Sequence, residues 1–172
     1  VNSRDQLLVE GELMDISQLA EGAKMFLTNP NYSDDLPERL KITRAEVSDK
    51  ISYYKGLLAS EPNDNAYSKE LLKWNKKLNA INLLGEYWEL PGSAVISLRN
   101  DTETSYDMYI QVQNELTRAV NELRNDLSEE KFGKPFAELD KKDPEEKKMI
   151  MAIRQVYPQR ISEAEPNVTP KN

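Results

Sequence analysis

The chain has 172 residues, a length that suits one domain or one domain carrying a large insertion. Its apolar share of 38% lies below the ~45–50% of ordinary globular domains, and 31% of residues are charged, so a small core and heavily solvated helices are expected. The net charge of −7 argues against nucleic acid as the main partner, and the absence of Cys and His excludes disulfides, thiolate nucleophiles, Cys/His zinc sites and His general bases.

In chain order, "VNSRDQLLVEGELMD" reads as strand, turn, strand, with Ser3, Arg4 and Asp5 as the turn and Gln6–Glu10 as an apolar run ended by Gly11. Val1–Ser3 read as the tail end of a strand. The start on Val rather than Met predicts a piece of a longer protein, whose missing part carries a targeting or membrane segment. Asp15 and Gln18 form a capping-box pattern ahead of an apolar stripe from Ile16 to Leu27. "TNPNYSDDLPE" stops that helix. Thr43 and Glu46 make a second box, stapled by Ile42 and Val47, and open a helix ending near Ser60. After the loop "EPNDN", Tyr67, Leu71, Trp74, Leu78 and Ile81 mark another helix ending around Gly85. The two predict an antiparallel helical hairpin at about 43–84.

"YWELPGSA" leads into a strand at Val95–Arg99, and Thr104 or Ser105 caps a long helix with a stripe from Tyr109 to Leu127. Asp143, with Pro144 at the first helical position, opens a last helix that Pro158 ends. "QRISEAE" reads as a short closing strand and "PNVTPKN" as a frayed tail. No apolar run approaches the ~18 residues of a membrane span, and no signal peptide is visible. The predicted class is α+β: a single two-layer domain over 1–172, a small sheet with helices on one face, and residues 31–92 inserted with their hairpin.

Chemistry-bearing patterns are few. Asp101, Glu103 and Asp107 admit an acid–base reading, but no nucleophile or His accompanies them. Strand termination by Asp101 and a favourable dipole contact for Asp107 explain them more simply. Asp34, Asp35 and Glu38 lack the spacing of a calcium loop, and the glycines at 11, 22, 56, 85, 92 and 133 are too scattered for a phosphate loop. No metal, no cofactor and no enzymatic activity is expected. N-x-S/T triplets at Asn31, Asn100 and Asn167 carry little information. Tyr53, Tyr54, Tyr67, Trp74, Tyr87 and Trp88 form either a binding face or the hairpin's own core. The strand residues Val95, Ile96, Ser97 and Leu98, with Arg160, Ile161 and Ser162, are candidate contacts for an extended partner peptide or a second copy. Whether either strand is an open edge stays undecided at this stage.

Three stretches together resemble the periplasmic domain of the ExbD/TolR family of biopolymer transport proteins. "VNSRDQLLVEGELMDISQLAEGAKMFL" is similar to the family's opening, "VISLRNDTETSYDMYIQVQNELTRA" to its strand, Arg/Asp turn and Tyr-bearing helix start, and "VYPQRISEAEP" to its closing strand. They cover somewhat under half the chain; 31–92, the extended helix and the helix at 144–156 depart from the pattern. The resemblance implies a periplasmic domain of a single-pass inner-membrane protein of a Gram-negative bacterium. Its membrane helix and proton-carrying Asp would lie upstream of Val1. It implies a homodimer beside an ExbB-like multi-pass protein, engaging a TonB-like protein in a proton-motive-force-driven complex that powers outer-membrane transport. ExbD-like membership is the expectation. A TolR-like role, or an adaptor that binds through the hairpin, is the alternative.

Overall fold

Glu10 and Gly11 both take left-handed backbone angles, φ 52° and 89°, the geometry of a two-residue hairpin turn. In this computed structural model, which describes residues 1–165, that turn joins β1 (Leu8–Val9) to β2 (Glu12–Leu13), antiparallel. The turn at 3–5 is present, but no strand forms at Val1–Ser3. The tail 166–172, with the Asn167 triplet, lies outside the described residues.

The elements continue as α1 (Ile16–Thr28), β3 (Leu40–Ile42), α2 (Arg44–Ser60), α3 (Asn65–Leu84), β4 (Tyr87–Glu89), β5 (Ile96–Leu98), α4 (Tyr106–Phe132), α5 (Pro144–Val156) and β6 (Ile161–Glu163). The fold is α+β, as the pattern predicts. Among the described residues the strands form three separate pairs, β1–β2, β3–β4 and β5–β6, rather than one sheet. β3 and β4 have no counterpart in the sequence reading, because three residues each are too few for alternation to show.

Contacts divide the chain into two compact units, 1–38 with 90–123 and 159–172, and 39–89 with 124–158. The sequence reading instead takes 1–172 as one domain with 31–92 inserted. The hairpin's compact unit begins at Arg39, ends at Glu89, and takes in the later part of α4 together with α5.

In the first unit α1 is capped by Asp15, whose carboxylate accepts from Ser17 rather than forming the reciprocal box with Gln18. Leu19, Ala20 and Ala23 of α1 pack with Leu98 of β5 and with Val112, Leu116 and Ala119 of α4. Asn29 ends α1 in a left-handed conformation, φ 34°, which Asn tolerates better than most residues. Its buried side chain then organises the following loop. The amide donates to the carbonyls of Ser33 (3.1 Å) and Pro37 (3.2 Å), and its oxygen accepts from the Ser33 N–H (2.8 Å). Asn29→Ala is expected to cost about 1–3 kcal/mol in urea unfolding, since buried backbone groups lose their partner.

In the second unit β3 and β4 pair antiparallel, with Ile42 opposite Tyr87. They bracket the α2–α3 hairpin. Val47 and Ile51 of α2 and Trp74, Ala80, Ile81 and Leu84 of α3 share one core with Ala152 and Val156 of α5. Thr43 and Asp64 cap α2 and α3, and Asp143 caps α5 with two bonds to the N–H groups of Glu145 and Glu146. Ile150 and Ile153 of α5 close over Leu139 beside a 3₁₀ turn at Phe136–Glu138.

Glu146 fastens this turn region. Lys134 Nζ lies 2.8 Å from one carboxylate oxygen, and the Asp140 N–H donates to the other. The Lys134 bond first, and the Asp140 N–H second, hold the Glu146 carboxyl below its usual range. A carboxyl lowered in the fold stabilises above the unfolded pKa, and that contribution disappears as pH falls through the lower folded value. The protection of the Asp140 amide against hydrogen exchange, relative to an unfolded amide at the same pH, is therefore expected to fall as pH drops below the ordinary carboxylate range. Glu146→Ala, which removes the acceptor, should show the low protection at every pH.

Candidate functional site

The two candidate strands of the sequence reading pair with each other. β5 and β6 run parallel, with Ile96 beside Ile161, Ser97 beside Ser162 and Leu98 beside Glu163. The Ile96 N–H donates to the Arg160 carbonyl (2.8 Å), and the Ala164 N–H donates to the Leu98 carbonyl (2.9 Å). Ile96 and Leu98 thus spend their backbone groups on β6. By alternation Ser97 turns its N–H and C=O to the opposite edge, where neither meets a partner among the described residues. On β6, Ser162 faces inward and Ile161 turns its backbone outward.

Along the Ser97 edge lies a groove of about 750 Å³, wholly within the first unit. Leu7 and Met14 of the hairpin region, Leu19, Ala23 and Phe26 of α1, and the β5 residues themselves form its apolar walls. Val95 and Ser97 are exposed along it, whereas Leu98 is buried beneath.

One end of the edge is already occupied. The Val1 nitrogen donates to the Arg99 carbonyl (2.6 Å), and the Asp101 N–H donates to the Val1 carbonyl (2.9 Å). The Thr104 hydroxyl reaches the carbonyls of Val1 and Asn2, both at 3.3 Å. Asp101 accepts from the Ser3 N–H (3.0 Å), and Asp5 accepts from the Ser105 N–H (2.8 Å). The open stretch is therefore Val95–Leu98. Asp101 acts as a hydrogen-bond acceptor that stitches 1–5 to the strand–helix corner, and Asp107 accepts from Gln111 (2.6 Å) within α4. Ser105, not Thr104, caps α4, its hydroxyl accepting from Met108 (3.1 Å). Among the described residues no group of three or more acidic side chains is placed to hold a metal ion.

Arg160 works as a clamp, not as a free contact. Its guanidinium donates to the carbonyls of Leu90 (2.9 Å) and Pro91 (2.7 Å), closing the loop that feeds Val95. On the other side of β6, Glu163 accepts from Tyr109 Oη (2.7 Å) and Gln113 (2.8 Å). Donation to that carboxylate raises the Tyr109 pKa. The hairpin aromatics divide: Trp74 and Tyr87 are buried, while Tyr53 stays 60% exposed beside Tyr54.

The sequence marks β5 as a strand and leaves open whether it is an edge, and it gives no sign of the groove alongside. Leu7, Phe26 and Met14 come from segments that nothing in the local pattern connects to β5. The chain matches no protein-family model, no curated protein and no solved structure.

Proposed function

We propose that this chain is the coupling domain of an ExbD/TolR-type energy-transducing complex, which captures an extended segment of a TonB-like partner along β5. The observation that carries the reading is the outward N–H and C=O of Ser97 above an apolar groove. A strand laid there gains backbone hydrogen bonds, each worth about 0.5–1.5 kcal/mol net, and buries alternate side chains in the groove. Only a few such bonds fit over Val95–Leu98. The resulting grip is modest and reversible, as a cyclic coupling task requires. Homodimerisation, an ExbB-like membrane partner, ExbD-like rather than TolR-like membership and a periplasmic, inner-membrane-tethered location rest on the sequence resemblance alone. No catalytic role is assigned to any residue.

The test is a photoreactive side chain at Val95 or Ser97 in living cells. The reading expects a covalent adduct with the TonB-like protein at these positions and none from a probe at Leu72. Adducts absent at both strand positions would remove strand capture.

The exposed Tyr53 and Leu72 favour a second reading, an adaptor that binds through the hairpin. Deleting 43–84 is a poor test of it, because the hairpin covers Ala152 and Val156 of α5. Tyr53→Ser with Leu72→Ser leaves that core intact. Full partner binding by this variant sinks the adaptor.

A further inference from the structure

The negative charge of the chain is not shared evenly. The first compact unit holds six Lys/Arg against fifteen Asp/Glu, net −9, and the second holds seventeen against fifteen, net +2. Inside the second unit, α3 and α5 border a groove of about 550 Å³. Its rim carries Lys76, Lys148 and Arg154 against a single acid, Glu145. Lys148 and Glu145 form an exposed pair at 2.7 Å, a weak arrangement that is easily exchanged for another carboxylate. Lys76 and Arg154 have no carboxylate partner among the described residues. Arg154 instead flanks the Phe136 ring at 5.9 Å, sharing it with Arg124 at 5.6 Å. Asn79 and Asn82 add exposed carboxamides without partners among the described residues, and Leu83 and Ala152 supply an apolar floor.

We infer that the α3–α5 groove docks a short acidic peptide segment of a partner protein. Lys148 and Arg154 stand six residues apart on α5, about 9 Å along the helix axis. Cations spread over that distance match carboxylates spaced along an extended chain, not the oxygens of a single phosphate. Carboxamides, each both donor and acceptor, suit the intervening peptide groups. At ~3.3 Å per residue the cations span three to four residues. The site is independent of strand capture and stands whether or not that reading holds.

Fluorescence anisotropy on the whole chain tests it, using a labelled ten-residue peptide of alternating Asp and Ala and the same peptide with Asn for Asp. The Asp peptide is expected to bind at least ~10-fold more tightly, and to weaken by a similar factor between ~0.05 and ~0.5 M salt. Lys76→Glu with Arg154→Glu should abolish that preference at unchanged melting temperature, whereas Ser97→Pro should leave it intact. Equal binding of both peptides, binding unaffected by the charge reversals, or adsorption to anionic lipid vesicles without binding of the Asp peptide would each overturn the inference.

Discussion

Lys77→Met is expected to destabilise the protein by about 3–5 kcal/mol, although it places an apolar side chain in an apolar setting. Lys77 lies on the core-facing side of α3, and its ammonium pairs with the Glu89 carboxylate of β4. Their side chains are only 6% and 12% exposed. The ammonium also sits 4.8 Å from the Trp74 ring centroid, which shields it further from water. Removing the cation strands the Glu89 charge where water cannot solvate it. The large effect comes from that orphaned carboxylate, not from the worth of the pair itself. Lys77→Met with Glu89→Met should therefore recover most of the loss, because two apolar groups of similar volume leave no charge behind. Urea midpoints of the two variants check this. A double variant as unstable as the single one would mean that the pair is a net stabiliser.

Ser97→Pro is expected to weaken partner capture at least ~10-fold while the protein stays folded. Proline removes one N–H, and at Ser97 that N–H points away from β6. The bonds made by Ile96 and Leu98 survive, and proline is tolerated on strands where the lost donor faces outward. Ser97→Thr keeps the donor and should bind normally. A Pro variant that binds as well as wild type, at unchanged melting temperature, would place the partner elsewhere.

The helices were legible because their signals are local. Asp143 followed by Pro144, Thr43 ahead of Glu46, and stripes at helical spacing sit within a few residues of the boundaries that the structure shows. The strands were legible only in part. β5 stands out as an apolar run and β6 only as a short polar-flanked segment after Pro158, and their parallel pairing joins residues more than sixty positions apart, where no local rule reaches. The missed β3 and β4 are held by α2 and α3 between them, so their existence is a tertiary fact. The groove is assembled from the first ten residues, α1 and β5. One clue was present and unused: Lys77 falls three residues after Trp74 and four before Ile81, on the apolar stripe of α3, where a cation demands a buried partner. The opposite charges of the two units were hidden as well, because each unit is assembled from separate stretches of chain.

The central claim is that the Val95–Leu98 edge takes up an extended segment, and amide NMR reads it most directly. The ¹⁵N-labelled chain is titrated with peptides tiled across the periplasmic part of the proposed TonB-like partner. The account predicts one peptide that shifts the amides of Val95–Leu98 and of Ala23 and Phe26 on the facing helix and slows hydrogen exchange at Ser97, with the shifts at Val95, Ile96, Ala23 and Phe26 lost in Ser97→Pro. Shifts confined to α2, α3 or α5, with Ser97 exchanging as fast as in the free protein, would contradict it.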